Sequence, residues 1–365
     1  MPILAEGEHV RDAFEVERLL GEGSFAEVYR VRQRFLRRRF AMKLFKTPSG
    51  SLEALEERLG ESRILAQLEH PNIVRIADAN LIMREGLAYG YFTMEYVAGG
   101  SLDTYWRSYG SALMPIAEAV EIIRQVCRGL AVAHRCEPPL VHRDLKPQNI
   151  LVGFDGAGLR VRVSDFGLAK AVSPVTLLVS ARGTLSFKPP EALSSTDSAE
   201  SDVWAVGTIL YLLLTDRLPY PHLDARDLRD ARRFLRPLRP PSIYNIEVDA
   251  ALDAIVFRAL AAEREDRYHD AADLLGDLDR WQPSLDPTTT MLPSLSEQIP
   301  ESSMKRQDDP GSSIEETIAE AFRRAKVSGQ LDAAADLLES ALSRRAELRG
   351  RYGTRLLQWR RGIAM

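Results

Sequence analysis

The sequence predicts an α+β fold, rich in strands near its amino terminus and mostly helical beyond residue 116. Three observations carry this. Residues 14–45 alternate apolar and polar around Gly21 and Gly23, the pattern of strands joined by turns. IAEAVEIIRQVCRGLAVAHRC (116–136) has its apolar residues at helical spacing. At 283–313 the composition breaks: PSLDPTTTMLPSLSEQIPESSMKRQDDPGSS is rich in Pro, Ser, Thr and Asp, lacks apolar periodicity and reads as a flexible linker. With 365 residues, 45% of them apolar, the chain can bury a sizeable core, as one large two-lobed domain or as two to three smaller units.

Along the chain, LEALEERLGESRILAQLEH (52–70) is predicted helical, with Leu52, Leu55, Leu59, Ile64, Leu65 and Leu68 in one stripe. GYFTMEYV (90–97) reads as a buried strand that AGGSL interrupts. NILVGFDGAGLRVRVSDFG (149–167) reads as a hairpin turning at Asp155-Gly156. From 200 to 282 the pattern is mostly helical. VWAVGTILYLLL (203–214) is too short to span a bilayer and predicts a buried core helix. Beyond the linker, Gly329 divides IEETIAEAFRRAKVS from LDAAADLLESALSRRAELRG. This pair resembles one tetratricopeptide hairpin, although such repeats need neighbours and a plain helical bundle fits the pattern equally.

A net charge of −4 argues against a generic nucleic-acid partner. Cys127 and Cys136 cannot build a disulfide framework, which points to a reducing compartment. MPILAEGEHVRD lacks the basic start and apolar stretch of a signal peptide. The expectation is a soluble, cytoplasmic protein without a membrane span. Lysine is scarce, 7 against 41 arginines, which sum to the 48 basic residues. A lysine in a motif therefore marks a place that needs a compact ammonium.

Four stretches carry chemistry. In GEGSFAEV (21–28), Gly21 and Gly23 let backbone amides approach a phosphate, although a glycine pair in an ordinary β-turn looks the same. FAMK (40–43) places Lys43 in an apolar strand, where a charge is costly unless paired. Glu61 is its predicted partner, and a lysine snorkelling at a strand edge is the alternative. LVHRDLKPQN (140–149) sets Asp144 to orient or deprotonate a hydroxyl, Lys146 to neutralise a phosphoryl group and Asn149 to hold a metal. SDFG (164–167) adds Asp165 as a second oxygen ligand. Two such ligands beside a phosphate suit Mg2+, which keeps much of its water. Phosphoryl transfer asks for this positioning and charge neutralisation rather than for covalent chemistry.

The order and spacing of these stretches resemble the eukaryotic-type protein Ser/Thr kinases, including their bacterial members, from about residue 14 to 282. PPE (189–191), SDVWAVG (201–207) and EDRYHDAADLL (265–275) extend the likeness. The resemblance implies a two-lobed protein kinase fold, with an N-lobe at 14–97, a C-lobe at 98–282, an extension at 1–13 and a helical segment at 314–365 outside it. It implies ATP and Mg2+ as cofactors, with Mn2+ as an alternative to magnesium, and protein substrates with Ser or Thr acceptors.

Carried over residue by residue, Lys43 would bind the α- and β-phosphates and pair with Glu61. Asp144 would be the catalytic base and Lys146 a γ-phosphate contact, with Asn149 and Asp165 as metal ligands. Val28, Ala41 and Leu151 would sandwich adenine, with Met94 as gatekeeper and backbone groups of Glu95 and Val97 reading its edge. Glu191 would pair with Arg267, Asp202 would brace the catalytic loop, and His142 and Phe166 would stack in a spine with Leu65. The sequence departs from the family pattern at Ala26, in place of the third loop glycine, and at Pro189, where Ala is usual. Neither change removes a catalytic group.

Regulation is expected at the activation segment. Arg143 would answer a phosphate there, with Thr176 or Ser180 as autophosphorylation sites, while Thr184 would contact the catalytic Asp and Lys. Arg226, Arg229, Arg232, Arg233, Arg236 and Arg239 recur at helical spacing and read as a basic face, either docking an acidic substrate or simply solvated beside Asp224, Asp227 and Asp230. RFLRRR (34–39) reads as an exposed turn between strands, and the threonines of DPTTTMLP (286–293) as a potential phosphothreonine ligand. A partner at the C-terminal helices would add to the main activity. Two rival functions are disfavoured by residues. A scaffold without turnover commonly lacks Lys43, Asp144 or Asp165, all present here. Small-molecule phosphotransferases of similar shape resemble HGDLHxxN in the catalytic loop and lack the PPE-type anchor.

Overall fold

Backbone pairing between β-branched and aromatic strands organises the first hundred residues. The computed structural model describes residues 2–48, 68–110, 112–156, 158–166, 184–193, 198–220, 233–234 and 236–283, and six helical positions between 317 and 338. The strands are β1 (His9–Val10), β2 (Phe14–Glu22), β3 (Ala26–Gln33), β4 (Arg39–Phe45), β5 (Ile76–Arg84) and β6 (Leu87–Glu95), in the antiparallel order β1-β2-β3-β4-β6-β5. The outermost strands meet through side chains. Arg84 pairs with Glu8, and Arg11 donates to Asn80. The predicted helix at 52–70 lies almost wholly outside the described residues.

Period-two alternation gives this sheet two apolar faces. On one, Val16, Tyr29, Val31, Met42, Leu44 and Tyr91 pack with Leu4 and Val10. The first ten residues thus help close the core of the sheet, beyond the extension expected at 1–13. Tyr29 and Glu27 pin them. Tyr29 Oη donates to the Glu27 carboxylate and accepts from Leu4 N at 3.0 Å, while Glu27 Oε2 also accepts from Ile3 N at 2.8 Å. Burial and the Glu27 hydrogen bond push the Tyr29 phenol well above its ordinary range. The other face holds Ala26, Ala41, Phe45, Val74, Phe92 and Met94, with Val28 and Leu151 packed against them.

The helical part is built from α1 (Leu102–Arg107), α2 (Ile116–His134), α3 (Ala199–Thr215), α4 (Ala250–Ala259) and α5 (Ala271–Arg280). Between α2 and α3 runs the hairpin of β7 (Ile150–Asp155) and β8 (Gly158–Val163). Helix α3 is apolar on all sides, and residues 201–215 are all buried, so it forms the centre against which α2, α4 and α5 pack. Where α3 meets α4, a Cβ on Gly207 would stand 2.8 Å from that of Ala259, so only glycine permits this approach. Asp249 and Asp270 cap α4 and α5 with their carboxylates. Among the described residues no helix is long and apolar enough to cross a membrane.

Residues 106–114, 156–158 and 282–365 belong to a second compact unit. Within it, Thr317, Ala321, Arg324, Ala334, Leu337 and Leu338 are helical, and Ala321, Ala334 and Leu338 are fully buried. The linker stretch 284–313 lies outside the described residues.

Removing the Tyr29 hydroxyl leaves Leu4 N without its acceptor and Glu27 with one donor fewer in a buried place. Tyr29→Phe should therefore destabilise the folded chain by about 1–3 kcal/mol, read as a lower urea midpoint at unchanged slope. An unchanged midpoint would show that the amino-terminal segment does not depend on this pair.

Candidate active site

The site assembles where β2, β3 and β4 meet the loop after α2 and the end of β8. At its top, Gly23 N donates to Ala26 O at 2.8 Å, closing the glycine turn. Ala26 turns its methyl into the apolar face with Phe45 and Phe92. Val28 pairs in register with Lys43, and Lys43 with Phe92, so Lys43 emerges from the middle of the sheet. Its ammonium lies 2.8 Å from Asp165 Oδ1. The predicted partner Glu61 lies outside the described residues, as does Leu65.

Below, the stretch from His142 to Asn149 is held by one carboxylate. Asp202, on the first turn of α3 and 2% exposed, accepts from His142 N at 2.7 Å and Arg143 N at 3.0 Å. His134 Nε2 lies 3.0 Å from the same carboxylate, while its Nδ1 accepts from Ala271 N at 3.4 Å. That assigns the Nε2-protonated tautomer, with His134 donating to Asp202. Burial alone would raise the Asp202 pKa. The hydrogen bond from His134, followed by His142, overcomes it and holds the carboxyl below its ordinary value. With two amides so anchored, Arg143 is kept at φ 67°, a left-handed conformation that an arginine rarely adopts.

This bend presents the functional side chains. Lys146 Nζ donates to Asp144 Oδ2 at 2.8 Å, and Asn149 Nδ2 donates to Asp144 O at 2.8 Å and to Asp144 Oδ2 at 3.2 Å. Asp144 Oδ1 is buried with no hydrogen-bond partner among the described residues. Asp165 also has positive φ, 64°, and the Ser164 before it fastens its N and Oγ to Asn149 O at 2.8 and 3.0 Å. His142 donates from Nε2 to Ser164 O, 2.8 Å away, and its ring lies 4.7 Å from that of Phe166. Asn149 commits its amide nitrogen to Asp144, so its carboxamide oxygen is what it can offer a cation. With the Asp165 carboxylate this makes a sparse, all-oxygen donor pair that fits Mg2+.

On the other apolar face, Val28, Ala41, Met94 and Leu151 belong to one cluster. Val97 is 9% exposed. Glu95 uses its N at Arg75 O and its carboxylate at Arg75 N, both 3.0 Å, and at Arg162 Nε, 3.1 Å. A cleft beside Asp144 is lined by Arg143, Leu145, Phe187, Lys188 and Ser201.

Further down, Arg267 grips Glu191 through two nitrogens at 2.6 and 2.8 Å, donates to Ala261 O and Ala262 O, and lies over Trp204. Short 3-10 turns flank Pro189, at Thr184–Phe187 and Pro190–Leu193. Thr176 and Ser180 lie outside the described residues, and only the backbone of Thr184 is described.

The arginine face needs correction. Arg226, Arg229 and Arg232 fall outside the described residues, but Arg233 is no surface cation. It is 9% exposed, donates to Leu185 O at 2.8 Å and lies 4.4 Å over the Phe234 ring, which packs on Trp204 and Tyr220. Burial lowers its pKa to about 10. Arg236 and Arg239 are not buried.

Several positioning residues were missed in the sequence. Asn72, 3% exposed, donates to Gln125 Oε1 at 3.0 Å and Val161 O at 2.8 Å, and Gln125 Oε1 accepts from Val161 N at 2.8 Å. This network ties the entry to β5 onto α2 and β8. Its one sequence signal is the polar Asn between apolar residues in HPNIV (70–74).

Asp202→Asn should cost about 3 kcal/mol, because an amide cannot satisfy all three buried donors that the carboxylate accepts from. The native carboxyl has a folded pKa below its unfolded value, so its contribution is present above about pH 4 and is lost as pH falls further. Urea midpoints between pH 7 and 3 should fall less steeply in the variant than in the native chain. Parallel profiles would deny Asp202 this role. Arg267→Met, which strands Glu191, should likewise destabilise the chain by about 3–5 kcal/mol, read as a lower urea midpoint.

The protein kinase domain family matches residues 14–291. Serine/threonine-protein kinase PknB of Mycobacterium leprae is 33% identical over 279 residues, 74% of this chain and 43% of that protein. A probable serine/threonine-protein kinase PknB of Lactococcus lactis is 33% identical over 74% of this chain and 42% of its own length. The chain thus spans less than half the length of these relatives. In fold it is similar to the kinase domain of PknI of Mycobacterium tuberculosis, with TM-score 0.57 at 23% identity, covering 76% of this chain and 99% of that domain. A family match over more than half of the chain, falling on the residues whose geometry has just been described, makes this chain a member of the protein kinase domain family.

Proposed function

We propose that the chain is a protein serine/threonine kinase that transfers the γ-phosphoryl group of ATP to hydroxyls of protein substrates. The observation that carries this is the catalytic stretch itself. Asp144 keeps one buried carboxylate oxygen without a donor while Lys146 and Asn149 fix the other. In this reading that oxygen would accept a hydrogen bond from an incoming Ser or Thr hydroxyl, orient it and take its proton. The Lys146 ammonium offsets negative charge on the transferring group. Lys43 would bind the α- and β-phosphates, and Gly21 and Gly23 would bring amides over them. Val28, Ala41, Met94 and Leu151 form an apolar slot suited to adenine, with the backbone of Glu95 and Val97 at its edge.

Asn149 and Asp165 would hold Mg2+, or Mn2+ in its place, which when bound neutralises phosphate charge. The pairing of Lys43 with Asp165 supports this, since a phosphate and a cation would give each group a replacement partner. Arg143, beside the cleft, is suited to a phosphate on Thr176 or Ser180, formed by autophosphorylation. Residues 314–365 are proposed as a helical hairpin open to a partner. Both cysteines being free supports a cytoplasmic location.

The test is transfer of label from γ-labelled ATP with Mg2+ to the chain itself and to a basic substrate protein. Asp144→Asn should reduce transfer by about 10²–10⁴-fold, the range for losing a general base, with ATP affinity nearly unchanged. Transfer as fast in the variant as in the native chain would defeat the assignment. ATP binding without transfer in the native chain and in residues 1–282 alike would favour a scaffold.

A further inference from the structure

The hairpin tip between β3 and β4 serves no part of the site, and its composition is unusual. Phe35 and Leu36 are 85% and 74% exposed, adjacent, and bracketed by Arg34, Arg37, Arg38 and Arg39. The tip is ordered by its own backbone. Gln33 N donates to Arg38 O at 2.8 Å, Arg34 N donates to Ala13 O at 2.9 Å, and Arg37 takes the left-handed turn position at φ 51°. Arg39 is occupied by Glu17, whose carboxylate also serves Arg30 and Arg32. Arg34, Arg37 and Arg38 have no carboxylate partner among the described residues. Arg38 instead lies 5.8 Å over the Phe40 ring.

We propose that this tip docks the kinase on an anionic lipid surface. Phe35 and Leu36 would enter the boundary between headgroups and acyl chains, and Arg34, Arg37 and Arg38 would contact lipid phosphates. Charge complementarity selects the sign of the surface. Size selects a membrane over a protein. Two apolar side chains cannot supply the area of about 1,200 Å² or more that a stable protein interface buries. A membrane needs only shallow insertion, and each cation near its anionic surface strengthens binding about fivefold, so the three together add about a hundredfold. Screening confines this gain to low and physiological salt.

The full chain would be sedimented with vesicles of phosphatidylcholine alone and of phosphatidylcholine with phosphatidylserine, across a salt series. Native protein should bind the mixed vesicles, lose that binding as salt rises, and leave the neutral vesicles bare. The double variant Phe35→Ser/Leu36→Ser should bind at least tenfold more weakly, and Arg34→Gln/Arg37→Gln/Arg38→Gln about a hundredfold more weakly. Because these side chains are exposed, both variants should keep the native thermal midpoint and phosphorylate a soluble peptide at the native rate. Failure of native protein to bind the mixed vesicles overturns the proposal. So does vesicle binding that neither variant weakens, which would place the lipid contact elsewhere. Capture of the tip by polyglutamate but not by vesicles would assign it to an acidic protein instead.

Discussion

The loop that carries Asp144, Lys146 and Asn149 hangs on the buried carboxylate of Asp202. An ionised group taken out of water is expensive unless it is surrounded by donors. Here the donors are the amides of His142 and Arg143 and the ring of His134. The burial cost becomes a positioning force, because every deviation of the catalytic stretch would strip a donor from a charge that cannot reach solvent. A left-handed arginine backbone costs on the order of 1–3 kcal/mol, a cost the two anchored amides offset. The bend that results turns Asp144, Lys146 and Asn149 toward the same side, and Ser164 then couples Asn149 to Asp165.

The sheet side of the site is held by different physics. Lys43 depends on strand register, since a shift of one residue would send it to the opposite face. The two apolar faces of the sheet fix that register. One face is sealed with the help of Leu4 and Val10 and the Glu27–Tyr29 pair, while the other offers Val28, Ala41 and Met94 as a slot. Contacts made by the first ten residues therefore bear on where a lysine thirty residues later can point. The tip of the β3–β4 hairpin belongs to the same strands but lies outside both cores, so its Phe and Leu are free to serve another surface.

How legible each feature was in the sequence depends on how local it is. Asp144, Lys146 and Asn149 sit within six residues, and their chemistry and spacing are visible together. The all-apolar α3, the hairpin of β7 and β8 and the two-lobed fold could be read from periodicity and the family resemblance. Asn72 and Gln125 stand 53 residues apart. Nothing local in either predicts that their carboxamides will meet. Arg233 misled for a related reason. Spacing in an arginine series reports which residues share a helix face, but Trp204, Tyr220 and Phe234, drawn together from distant positions, decide whether that face sees water.

Lys43 shows where geometry and sequence reasoning meet. A lysine in an apolar strand demands a counter-charge, and the sequence offered Glu61 on the next helical stretch. The structure gives it Asp165 at 2.8 Å. Both groups are partly exposed, 14% and 24%, so their mutual attraction is screened and the pair need not be permanent. A buried and fully satisfied ion pair would resist opening, whereas a partly exposed one can part at lower cost. Arg267 and Glu191 form the opposite kind of pair, since there the arginine is fully enclosed, doubly bonded and stacked on Trp204. The chain places its rigid ion pair in the scaffolding and its yielding one at the chemistry.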